Sequence, residues 1–323
     1  MRVIRRLLSV GLLTVACVRP FGSMAADAVW NALAGRESVL VRGLPAAAAG
    51  ETVWFSVSKG GRTINSGTVK VAADGALSLP VSLPEMKPGV ALALEVTLRR
   101  GGDQGPALRA GTLWAFAERP FEPGHDPVAP RRLLVYDPGE KTAAAFRAIE
   151  LPFETVSRLD DLANRTNAVI VVAEGLSLDS ERGLWQVLAG AVARGNDVLL
   201  LAPRDGRLQP PATWRRLVAG DAQDVLRHGT VAGLPYKLDL IDWPPDSRAA
   251  TARFRLAGFR GDAVFDVTPD AGSTAVGWDD AASGGRLRAC GLGIVAKWNE
   301  TPAARWLLVE MLSSFAEKGD HRP

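Results

Sequence analysis

Four prolines fall within the thirteen residues Glu118–Pro130: Pro120, Pro123, Pro127 and Pro130. Each fixes its own φ and lacks a backbone N–H, so neither a helix nor an interior strand can run through the stretch. Residues 119–130 read as a semi-rigid linker. The chain has 323 residues, against roughly 100–200 per domain, so there is room for a folding unit on each side.

Before the linker the rhythm is that of strands. Residues 27–118 carry candidate strands at Ser38–Arg42, Thr52–Ser58, Thr63–Val71, Ala76–Val81, Ala91–Leu98 and Ala107–Phe116. Turn-forming clusters such as Lys59-Gly60-Gly61 and Lys87-Pro88-Gly89 separate them. Short alternating strands without an amphipathic helix predict a β-sandwich of immunoglobulin or fibronectin type. Trp54 and Trp114 are expected in or near its core, with a sugar-stacking platform as the other reading.

After the linker strands and helices alternate. Leu133–Tyr136, Phe153–Ser157, Ala168–Ala173 and Asp197–Ala202 are the strands. Thr142–Ile149 and Ser180–Arg194 are the helices, the second closed by Gly195. Continuous apolar strands between helices predict a mostly parallel sheet covered on both faces. Residues 207–285 are irregular. Arg286–Val295 then returns as a strand, paired with Ala275–Trp278, and Thr301–Lys318 is a closing helix with Pro302 at its first position.

The first 25 residues read as a secretory leader. Arg2, Arg5 and Arg6 precede the apolar run Leu7–Val18, and Ser23-Met24-Ala25 offers small residues at a cleavage site. Thr14-Val15-Ala16-Cys17 is close to a lipidation signal, so Cys17 is a candidate lipid anchor and the one expected route to a membrane. Removing the leader's four arginines from 38 basic groups leaves 34 against 35 acidic ones, a net of −1. Such a chain has no electrostatic reason to bind nucleic acid. Cleavage would leave Cys290 as the only cysteine, a buried strand residue by its neighbours, with no intrachain disulfide and no cysteine-based zinc site.

Arg131–Ala202 followed by Gly284–Lys318 resembles the class I glutamine amidotransferase-like, flavodoxin-like domain appended to exported bacterial glycoside hydrolases, which makes residues 131–318 one such domain with the irregular region 207–285 inside it. The residues that carry the likeness are Leu133–Asp137, Ala168–Gly175, the helix–Gly195–strand run to Leu201, and the tail. The tail reads Gly284-Gly285-Arg286-Leu287, then Val295-Ala296-Lys297-Trp298-Asn299, then Pro302–Leu308. The resemblance implies a cysteine nucleophile on the turn after Asp197–Ala202 and a His-x-Glu pair near the C-terminus. This chain has Pro203-Arg204-Asp205 at the first place and Lys297-Trp298-Asn299-Glu300 at the second. Thiolate chemistry needs both a thiol and a base, so amidotransferase activity is expected to be absent.

Other chemistry has few residues to use. No Gly-x-Ser-x-Gly elbow occurs, and the histidines are His125, His228 and His321, none in a metal-ligand cluster. No cofactor or metal is expected. Asp137, Glu174 and Asp205 each follow a strand, where ligands of open α/β sheets bind. A carboxylate pair there would suit glycoside hydrolysis, and helix capping is the plain alternative. Lys141, in Gly139-Glu140-Lys141-Thr142, opens a helix and is a candidate anion contact. Trp243, in Asp242-Trp243-Pro244-Pro245, is a candidate stacking residue for a sugar or a partner chain. The expectation is an exported, non-catalytic binding or assembly protein of the bacterial envelope, periplasmic or extracellular, with a glycan or an envelope protein as partner. The competing expectation is a glycan-directed hydrolase using the strand-end carboxylates.

Overall fold

The computed structural model describes residues 28–41, 44–45, 48–206, 226–227, 254–255, 262–266, 274–275, 277–281 and 284–316. Two sheets dominate. The first has five strands: β1 (Ala28–Leu33), β3 (Thr52–Lys59), β4 (Arg62–Lys70), β6 (Ala91–Arg100) and β7 (Ala107–Phe116). Their order is β1-β7-β6-β3-β4. All neighbours are antiparallel except β1 and β7, which run parallel with Ala28 opposite Gly111 and Leu33 opposite Phe116. A small antiparallel pair, β2 (Val39–Val41) and β5 (Leu77–Leu79), completes this half.

Alternation builds the first core. Val53, Phe55 and Val57 point inward from β3, and Leu94, Val96 and Leu98 from β6. They share one buried cluster with Val39 and Val41 of β2 and Leu77 and Leu79 of β5. Burying each such side chain stabilises by about 1.5–3 kcal/mol. Gly111 is dictated by β1: any Cβ there would run into the Ala28 carbonyl.

The second sheet has eight strands. They are β8 (Arg132–Tyr136), β9 (Glu154–Val156), β10 (Ala168–Val172), β11 (Asp197–Leu200), β12 (Leu226–Arg227), β14 (Asp262–Asp266), β16 (Gly277–Ala281) and β17 (Arg286–Cys290). Their order is β12-β14-β16-β17-β11-β10-β8-β9. The run from β17 to β9 is parallel, and the β12-β14-β16-β17 edge is antiparallel. A separate antiparallel pair joins β13 (Phe254–Arg255) to β15 (Thr274–Ala275). Strand β17 is shorter than the predicted Arg286–Val295, and its antiparallel partner sets Trp278 opposite Ala289.

Both faces of the parallel strands are apolar, and each has its own cover. Leu133, Val135, Val169, Val171 and Leu199 face helices α1 (Lys141–Ala148) and α3 (Pro302–Ala316). Leu134, Ile170, Val172, Val198 and Leu200 face α2 (Leu184–Ala193). Helix α2 starts at Leu184 rather than Ser180, and Gly195, at φ 89°, follows it in the left-handed conformation that ends helices.

The proline-rich stretch has no helix or strand, but it is packed. Phe121 and Val128 are buried in the core beneath α1 and α3, together with Phe116 at the end of β7. Phe116 lies 4.9 Å from the Trp306 ring of α3. The Arg305 guanidinium donates to the carbonyl oxygens of Trp298 at 2.8 Å and Glu118 at 2.7 Å. Arg36 donates to the Asn299 carbonyl at 3.2 Å, and Arg119 pairs with Glu150 at 2.6 Å. These contacts form a seam between the sheets. The described chain thus combines a mixed sheet with a mostly parallel one and few helices, a multi-domain α/β protein.

Candidate functional site

The carboxyl ends of the parallel strands are the first place to look. The chain steps outward from β8 to β9, then returns to lay β10 on the other side of β8. That reversal opens a crevice between the ends of β8 and β10, the usual ligand position in open α/β sheets. Asp137 follows β8 and Glu174 follows β10, so the topology brings two of the predicted carboxylates to this crevice.

Each is already engaged. Asp137 is buried, and its carboxylate accepts the N–H groups of Gly139 at 3.2 Å and Ala143 at 2.9 Å. It therefore sits on the positive end of α1, the place an exogenous anion would take. Thr142, next along α1, accepts the Glu174 backbone N–H on its hydroxyl at 3.1 Å. The Glu174 carboxylate reaches across to the segment after β17. It accepts the N–H groups of Val295 at 2.6 Å and Ala296 at 2.8 Å, one on each oxygen. Burial pushes the Glu174 carboxyl above its ordinary range, outweighing the opposite pull of these amides.

Asp205 has other partners. It is exposed beyond β11, its carboxyl lowered first by the Ser177 hydroxyl and then by Arg204, whose Nε donates to it at 3.0 Å. A short parallel bridge joins Ser177 to Asp205. Lys141 is exposed at the start of α1. Trp243, Cys17, His228 and His321 lie outside the described residues. His125 is exposed, with its ring 5.9 Å from that of Phe121.

The turn after β11 carries Pro203, Arg204 and Asp205, and offers no nucleophile. Cys290 is fully buried in β17, and burial pushes its thiol up to about 12. A thiol so placed is neutral and shielded near pH 7. Among the described residues no group of His, Cys, Asp and Glu is placed to hold a metal ion. Among them, too, no helix is long and apolar enough to cross a membrane.

The two tryptophans of the first half have separate surroundings. Trp114 is half-buried and packs against the core beneath α3. Trp54, half-buried on β3, stands opposite Arg99 of β6 and Thr68 of β4. Sequence reasoning did not foresee two polar contacts near the crevice and at the opposite end of the sheet. The Tyr136 hydroxyl donates to Glu181 at 2.7 Å, and burial followed by this contact raises the phenol further. Asp197, fully buried, accepts from Arg131 at 2.5 Å and from the Arg286 N–H at 2.6 Å. Asp197 heads a predicted strand, and a charged residue opening an otherwise apolar run is the signal that could have marked it.

No family model matches the chain, and no curated protein matches it. Among solved structures it is similar to a Bifidobacterium dentium beta-glucuronidase complexed with coumarin-3-O-glucuronide. That likeness is at 15% identity over 53% of this chain and 35% of that one, with a TM-score of 0.22. A superposition of that extent carries no argument about activity.

Proposed function

We propose that this is an exported, non-catalytic binding or assembly protein of the bacterial envelope, working alongside carbohydrate processing. In this reading residues 27–118 are a β-sandwich, supported by the buried cluster that β2 and β5 share with the inner face of the five-stranded sheet. Residues 131–318 are a degenerate, flavodoxin-like amidotransferase domain. The parallel order β9-β8-β10-β11-β17 supports this, because numbered along the chain it reads 2-1-3-4-5.

The observation that carries the non-catalytic reading is the occupancy of the crevice by the chain itself. Asp137 holds the start of α1, and Glu174 holds Val295 and Ala296. A nucleophile or general base needs a free oxygen directed at substrate. One observation favours the hydrolase instead: Glu174 has the raised pKa of a general acid.

Incubation with L-glutamine and with a panel of 4-nitrophenyl glycosides tests the two. The expected result is no ammonia and no nitrophenol above the buffer rate. Glycoside turnover abolished by Glu174→Gln would transfer the protein to the hydrolases. Export is tested by mass spectrometry of the secreted product. Its expected first residue is Ala26, and a product starting at an acylated Cys17 would make it a lipoprotein.

A further inference from the structure

The parallel pairing of β1 and β7 has an uncommon result at the seam. Because Leu33 and Phe116 are in register, both strands end at the same edge. Their next residues, Ala34-Gly35-Arg36 and Ala117-Glu118-Arg119, emerge side by side. The loop from Leu83 to Val90 spans the two exits and is pinned at both. Gly35 donates to the Leu83 carbonyl at 3.1 Å, and Leu83 donates back to Arg36 at 2.8 Å. At the other end Gly89 donates to the Arg119 carbonyl at 2.9 Å. Under this arch lies a cavity of about 630 Å³, lined by Arg36, Glu85, Met86, Pro88, Glu118 and Arg119 among others. It is within the size range of small-molecule sites, about 300–1,000 Å³. A second cavity, of about 270 Å³, also has Arg36 in its wall, with Ser38, Asn299 and Glu300 among its other lining residues.

The lining selects a chemistry. Arg119 already pairs with Glu150, and the Arg305 guanidinium lies beside Glu118, so three guanidinium and three carboxylate groups balance around the arch and a ligand of either net charge finds no net attraction. Guanidinium groups donate in pairs and carboxylates accept in pairs. Vicinal hydroxyls can do both at once. Met86 and Pro88 supply apolar surface for the C–H face of a sugar ring. We propose that the arch over β1 and β7 is a binding site for a neutral saccharide, and that the second cavity takes its next residues. This rests on the binding reading above and supplies its ligand class.

Isothermal titration of the purified protein with cellohexaose, maltohexaose and chitohexaose tests it, with trigalacturonate as the charged comparison. At least one neutral hexasaccharide is expected to bind with Kd below about 1 mM. Glu85→Gln, at an exposed position, is expected to weaken it about tenfold or more at unchanged Tm, and Arg36→Gln to weaken it as much while also giving up its bond to the Asn299 carbonyl. Binding that survives both substitutions overturns the arch site and leaves a glycan-binding protein. Absence of any neutral sugar binding overturns the site and the glycan reading together. Preference for trigalacturonate overturns the neutral chemistry.

Discussion

Glu174 and Val295 are 121 positions apart in the chain, yet the Glu174 carboxylate accepts the Val295 N–H at 2.6 Å. With the Ala296 amide on the other oxygen, this contact fixes the segment that leads from β17 into α3. Glu174→Gln replaces one acceptor by an NH₂ group facing an N–H. The expected loss is about 1–3 kcal/mol, read by urea unfolding.

The same residue predicts a pH dependence. Its folded pKa is raised, chiefly by burial, so the native state holds the proton more tightly than the unfolded chain. The stabilisation from that proton is complete below the ordinary glutamate range and is lost as pH rises through the folded value. The deficit of Glu174→Gln is therefore expected to shrink as pH rises from the ordinary glutamate range through the folded value. A deficit that grows over this interval would contradict the raised pKa.

Asp137 is read as a cap, and two substitutions separate that role from chemistry. Asp137→Ala is expected to cost about 0.5–2 kcal/mol, while Asp137→Asn keeps an acceptor and restores most of it. Thermal melts of the two variants are the measurement. Equal losses would mean that the charge, not the hydrogen bond to Ala143, is what α1 needs.

Asp197 is fully buried against Arg131, which also donates to the Ala168 carbonyl at 2.6 Å. Removing the carboxylate leaves a largely buried guanidinium and the Arg286 N–H without their acceptor. Asp197→Ala is expected to destabilise by about 3–5 kcal/mol in urea titration.

The seam predicts how the protein melts. Phe116 belongs to the first sheet and Trp306 to the helix over the second, and their rings meet at 4.9 Å. Calorimetry is expected to show one transition for the native protein. Phe116→Ala, at a cost of about 3–5 kcal/mol, is expected to split it in two or lower it as a whole. An unchanged single transition in that variant would remove the seam as the coupling element.

Cys290 offers a check on the core. Its thiol is fully enclosed and pushed up to about 12. A thiol reagent such as DTNB is expected to leave it unmodified in the native protein at about pH 8 and to react fully in denaturant.

The apolar runs at Leu133, Ala168 and Asp197 announced the parallel strands, because strands covered on both faces need no polar positions. Strand β1 escaped for the same reason inverted. It is almost wholly buried, so Ala28–Leu33 shows no alternation, and its partner β7 lies far along the chain. The overlong prediction for β17 failed after Cys290, where the regular strand ends and the amides of Val295 and Ala296 go to Glu174 instead. The candidate carboxylates were found by position after strands. Their partners were not, because Val295 and Ala296 act through backbone N–H groups that every residue type carries. The arch cavity was hidden with β1, since its walls meet only when β1 and β7 pair in parallel.

That pairing also sets an order of events. Ala28 cannot find its place until Gly111 exists, and α3, the last described element, packs on β1. Contacts so distant in sequence form late, because loop closure precedes any gain from them. The first sheet can therefore take up β1 only after β7 has been made, and α3 can seat on β1 only when nearly the whole chain is present.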